Sequence, residues 1–101
     1  KKTMIIVLCF SVAGCFESEP DSNNINGKDL YSYYCSECHK DNGAGAFLAG
    51  IPANKTTALS KGEISRMIRI GHSEFSSMPH FEKLTKEQAD SIATYLLEEL
   101  K

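Results

Sequence analysis

Three residues in one five-residue stretch, Cys35-Ser36-Glu37-Cys38-His39, have the types and spacing to hold a prosthetic group. On a helical turn, side chains three and four residues apart share a face. Cys35 and Cys38 can therefore reach two points on one side of a flat macrocycle and bond its vinyl groups as thioethers. His39, one residue on, can turn an imidazole nitrogen toward the central metal from the same side. This is the pattern for covalent haem attachment. Two other chemistries use similar letters. A structural zinc site needs a second cysteine pair or a Cys/His pair downstream, and beyond His39 the chain has no cysteine and only His72 and His80. A dithiol redox pair needs a preceding strand in a βαβ setting, and no segment here alternates with period two.

A metal held by one imidazole has an open face, and what fills that face separates carriers from catalysts. Met78-Pro79 stands ahead of the last helical pattern, where a thioether can approach, and Met78 is the expected sixth ligand. Met67 is the alternative thioether, although its place on a helical apolar stripe suits packing. His72 and His80 are the alternative nitrogens. With both faces filled, the iron suits one-electron transfer; an open sixth site would instead suit a haem enzyme or a gas-binding module.

The elements that must position these groups are legible as helices. Leu30, Tyr31, Tyr34, Cys35 and Cys38 recur at three and four spacing, so residues 27–38 read as one helix that delivers the cysteines. Residues 41–54, with three glycines and a proline, read as a loop. Ser60 and Glu63 form a capping box, with Leu59 and Ile64 placed for a hydrophobic staple. The buried stripe of that helix is Ile64, Met67 and Ile68, and Gly71 stops it. Thr85 and Gln88 form a second capping box, opening a last helix that carries Ala89, Ile92, Ala93, Leu96 and Leu100 on one face to the C-terminus. The expected fold class is all-α.

The chain has 101 residues, 42% hydrophobic and 24% charged, enough for one small domain. A core of that size often needs a staple, and a covalent haem would supply one. The remaining cysteines, Cys9 and Cys15, belong to a leader. Lys1 and Lys2 precede a short apolar run ending in Val12-Ala13-Gly14-Cys15, which resembles the bacterial lipobox, cut before a cysteine that carries diacylglycerol. Residues 1–14 are thus expected to be a lipoprotein signal peptide, Cys15 the lipidated residue, and 15–26 a flexible linker, acidic and rich in Ser, Pro and Asn. Residues 27–101 form the domain. Without residues 1–14 the chain has nine Lys/Arg against thirteen Asp/Glu, a net charge of −4, which offers no affinity for nucleic acid. Its charge is uneven. Residues 55–86 carry a balance of +3, between flanks of −4 (15–54) and −3 (87–101).

From about Asn26 to Lys101 the chain resembles a short bacterial class I cytochrome c. Gly27 and Tyr31 match that family's glycine and aromatic on the first helix. Ile92-Ala93-Thr94-Tyr95-Leu96 is similar to its aromatic-bearing contact segment on the last, and Met78-Pro79 matches its axial methionine and proline. The resemblance implies a small cytochrome c fold, three to four helices around one covalently bound haem c, with His39 and Met78 as axial ligands. The family commonly has Gly-Pro after the haem motif, its proline carbonyl accepting the ring N–H of the ligand histidine. Here Ile51 separates Gly50 from Pro52, and Pro52 is the expected acceptor. No Trp is present for a haem propionate; Arg66, Arg69 or a backbone N–H could serve. The implied function is electron transfer between extracytoplasmic or membrane redox partners. The expected location is the bacterial cell envelope, on a membrane through Cys15 and facing the periplasm.

Overall fold

The computed structural model describes residues 18–75 and 77–100. The expected signal peptide, Cys15 and Phe16 lie outside that range. The order of elements is α1 (Gly27–Tyr34), α2 (Ser36–His39), α3 (Lys61–Ile70) and α4 (Lys86–Glu98), with short 3-10 turns at Phe47–Ala49 and Ser73–Phe75. The domain is all-helical. Among the described residues the one β-type contact is an isolated bridge between Ala46 and Ile51.

Asn26 starts α1 by accepting a hydrogen bond from the Asp29 N–H at 3.1 Å, and Asp29 in the first turn suits the positive end of the helix dipole. The single helix expected over 27–38 is broken at Cys35, whose φ and ψ are −119° and −34°. A local competition accounts for the break. Ser36 Oγ donates to the Ser32 carbonyl at 2.6 Å, and such back-bonding bends helices. Helix α2 then continues one residue further than expected, to His39.

Both capping boxes are present. Ser60 and Glu63 exchange hydrogen bonds of 3.1 and 3.2 Å at the start of α3, and these bonds from Ser60 hold the Glu63 carboxyl below its usual range. Thr85 and Gln88 do the same for α4 at 3.0 and 3.1 Å. Gly71 ends α3 as expected, at φ +97° and ψ 176°, a positive-φ conformation outside the αL region and one that glycine adopts most readily. The stripe of α3 differs from expectation by one position. Ile64 and Ile68 are buried, but the third buried residue is Ser65, while Met67 is half-buried. The Asp90 carboxyl on α4 is held low chiefly by Lys86 and secondarily by Ser65, which faces it across the two helices. Helix α4 stops at Glu98, so Leu100 is buried from beyond the helix.

The core is built from Leu30 and Tyr31 of α1, Ile64 and Ile68 of α3, Leu84, and Ala89, Ile92, Ala93 and Leu96 of α4. The crossing of α1 and α4 depends on Gly27. A β-carbon there would stand 2.3 Å from the Ser91 carbonyl oxygen and 3.0 Å from Tyr95 Cβ. One turn on, the Tyr31 and Tyr95 rings meet at 5.4 Å between centroids.

The segment expected as a flexible linker is docked over its described part. Gln88 is 2% exposed, and its amide donates to the carbonyls of both Asp21 and Asn24, each at 3.1 Å. Its oxygen already caps α4, so the strap supplies the acceptors that a buried amide requires. Upstream, Glu19 accepts from Lys83 and from Tyr34 Oη, the latter at 3.3 Å.

Candidate functional site

Helix α2 is one turn long and presents the three residues singled out by spacing. Cys35 sits at its start, 7% exposed, Cys38 is exposed, and His39 at its end is buried. Both thiols are free. Burial pushes the Cys35 thiol up to about 12, the opposite of the lowered thiol that makes a dithiol reactive. Among the described residues no group of three or more His, Cys, Asp or Glu is arranged to hold a metal ion, so the zinc alternative has no second set of ligands.

The loop after α2 turns back to hold His39. The His39 and Lys40 carbonyls accept from Gly45 and Gly43, both at 3.0 Å, and Ala46 and Ile51 exchange hydrogen bonds of 2.9 and 3.0 Å. That hairpin-like closure delivers the Pro52 carbonyl oxygen to His39 Nδ1 at 3.0 Å. A carbonyl can only accept, so Nδ1 carries the proton and donates, and Nε2 is left as the unprotonated nitrogen able to bind a metal. The intervening Ile51 does not prevent this approach, because Ile51 is used to close the bridge.

Two residues of this support were not singled out by sequence reasoning. Gly45, at φ +71°, leaves no room for a side chain: a β-carbon would stand 2.6 Å from both the Ile51 and Pro52 carbonyl oxygens. Asn54 Oδ1 stands 3.3 Å from Tyr31 Oη, which also donates to the Lys40 carbonyl at 2.7 Å. Burial pushes the Tyr31 hydroxyl up to about 12, so it remains a neutral donor that ties the end of α2 to α1. The readable signal was the Gly43-x-Gly45 pair, which composition alone assigns only to a loop.

The other candidates are spread along the second half of the chain. Met78 is half-buried in the connection between the 73–75 turn and α4, and Pro79 is exposed. Met67 is half-buried on α3, where its carbonyl accepts from Gly71. His72 Nδ1 accepts from the Glu74 N–H at 3.0 Å, and His80 Nε2 donates to Glu82 at 3.2 Å. Arg66 is exposed. Arg69, half-buried on α3, has a buried Nε with no hydrogen-bond partner. A groove lined by Gly27, Asp90, Ser91 and Tyr95 runs along α1 and α4 and contains none of the Cys35–His39 residues.

These residues fit a haem. Two thiols flank one helical turn, and a buried imidazole has its proton fixed on the nitrogen away from a metal. Helices crossing at Gly27 behind that turn agree with the resemblance to a c-type cytochrome domain. A family model described as "Cytochrome C oxidase, cbb3-type, subunit III" matches residues 22–96, and the chain belongs to that family. No curated protein matches it. Membership carries covalent haem c and haem-based electron transfer, and such domains are typically carriers rather than enzymes and generally extracytoplasmic.

Proposed function

We propose that the protein is a one-electron carrier whose haem c is bonded to Cys35 and Cys38 and ligated by His39 and Met78. The observation that carries this reading is the His39 Nδ1 to Pro52 carbonyl contact of 3.0 Å. A second partner of this kind fixes the tautomer and aim of a ligand histidine and raises its basicity. When bound, the haem supplies a one-electron couple, and a thioether on its second face raises the potential relative to a second imidazole. The chain's own part is to keep both ligands in place in both oxidation states, so that little reorganises. The Pro52 contact and the packed α2 turn support this for His39. For Met78 the support is its half-buried place, with Pro79, ahead of α4.

The partners are extracytoplasmic or membrane redox proteins, a reading that the oxidase-subunit description of the family supports. Membrane attachment rests on Val12-Ala13-Gly14-Cys15, with residues 1–14 removed, lipid on Cys15 and a linker over 15–26. Absorption spectra of the holoprotein in both oxidation states test the ligand set. A low-spin species with the weak long-wavelength band of Met–Fe(III) is expected. A five-coordinate ferrous state that takes up CO readily would replace this reading with the open-site haem enzyme or gas-binding module.

A further inference from the structure

The connection that carries Met78 is fastened to α3 just beyond the methionine. The Phe81 N–H donates to the Ile68 carbonyl at 2.6 Å, meeting one of the last-turn carbonyls that a helix leaves unpaired. Phe81 packs against the core, with its ring 5.3 Å from that of Tyr34. Leu84, 2% exposed, follows, its N–H donating to the Phe81 carbonyl at 3.1 Å.

His80 closes the remaining gap between this fastening and Met78. A β-carbon on Gly71 would stand 3.7 Å from His80 Nδ1 and 3.9 Å from its Cγ, so the imidazole lies across the bare α-carbon that ends α3. From there Nε2 donates to Glu82 Oε1 at 3.2 Å. The ring is therefore held between the α3 stop and the residue after Phe81, and its backbone is two residues from Met78.

We propose that His80 is a positioning residue for Met78: braced over Gly71 and by Glu82, it keeps the Met78 connection shut and the thioether in place. The inference rests on the reading of Met78 as sixth ligand. The physical quantity it controls is the fraction of molecules in which the connection is open. An external ligand binds only the open form, so its apparent affinity scales with that fraction.

The test is imidazole titration of the ferric holoprotein at fixed pH, followed through the Met–Fe(III) band. His80 and Glu82 are exposed, so the variants should fold, and the effect is the modest one of an exposed brace. His80→Ala should bind imidazole roughly two- to fivefold more tightly than wild type. His80→Gln, whose amide can still donate to Glu82, should bind as wild type does, and Glu82→Ala should shift the affinity in the same direction as His80→Ala. Unchanged affinity in His80→Ala, or a Gln variant no better than Ala, would overturn the proposal. Met78→Ala is the separate control. If it keeps the band, the ligand reading itself falls and the positioning role with it; loss of that band alongside unchanged affinity in His80→Ala removes only the positioning role.

Discussion

At the scale of single residues, the site divides into groups that would bond the haem and groups that aim them. Met78→Ala should open the sixth position, admit CO and lower the midpoint potential, because the thioether favours the ferrous state. Met67→Leu should leave the spectrum alone, being a swap of nearly equal volume. A spectrum unchanged in the Met78 variant would move the assignment to Met67 or a histidine. Gly45→Ala tests the aim of His39. It adds a side chain at φ +71° and sets a β-carbon 2.6 Å from the Pro52 carbonyl oxygen. The variant should lose more than about 1 kcal/mol of stability and shift the haem spectrum as the Pro52 hydrogen bond lengthens. Gly50→Ala is the control, since a β-carbon there meets nothing within 4 Å, although its φ of +76° carries the same backbone strain. If both variants have the same spectrum, Gly45 serves the turn alone.

At the scale of elements, stability depends on the α1–α4 crossing and on what covers the start of α4. Gly27 is the first residue of α1, where Ala gains little helix propensity over Gly, and the methyl of Gly27→Ala would stand 2.3 Å from the Ser91 carbonyl oxygen. Forcing packed helices apart typically costs 1–3 kcal/mol, so the melting temperature should fall by about 5 °C or more; a rise would mean the crossing adapts freely. The strap supplies a pH test. Lys83 holds the Glu19 carboxyl below its ordinary value of 4.5, chiefly through their hydrogen bond. A lowered carboxyl contributes stability that is fully present above its unfolded value and is lost as pH falls through the folded one. Protection of the residue 21–24 amides, taken relative to their intrinsic exchange rate at each pH, should therefore persist at pH 4.5 and fall only in stronger acid, and Glu19→Gln should remove that acid-dependent step. Both capping boxes were legible because Ser60 with Glu63 and Thr85 with Gln88 act over three residues. The break at Cys35 was hidden, since the Ser36 hydroxyl competes for a backbone carbonyl without altering the apolar spacing. The docked strap was hidden for a different reason. Its polar composition reads as a linker, and what Gln88 recognises is the main chain at Asp21 and Asn24, which any residue could supply. The cysteine pair and His39 were legible by spacing, whereas the Pro52 approach depended on a turn whose tightness only Gly45 permits.

At the scale of the molecule, the positive balance of residues 55–86, to which Lys83 contributes, is suited to steering an acidic partner. The structure takes Lys83 out of that account, because Glu19 already pairs with it, and Lys86 is likewise paired with Asp90. Lys55, Lys61 and Arg66 are exposed and remain to do the steering. Replacing Lys55 and Lys61 by Glu should slow association with an acidic partner and flatten its salt dependence, with little change in midpoint potential because exposed charges are screened. A stopped-flow rate indifferent to ionic strength in the wild type would rule steering out. The strap has a further consequence, one of search volume. Eleven extended residues would let a domain range about 35 Å from the proposed lipid on Cys15. With Glu19 already bound to Tyr34 and Lys83, the leash from Cys15 is only four residues, at most about 14 Å. The hemisphere it can sweep shrinks with the cube of that length, roughly fifteenfold, and local concentration at the bilayer rises in proportion. If Cys15 carries the proposed lipid, a carrier on so short a leash would meet neighbours in its own membrane often and distant acceptors hardly at all. Cutting the contacts at Glu19 and Gln88 should extend its range at the expense of its rate with a membrane-embedded partner.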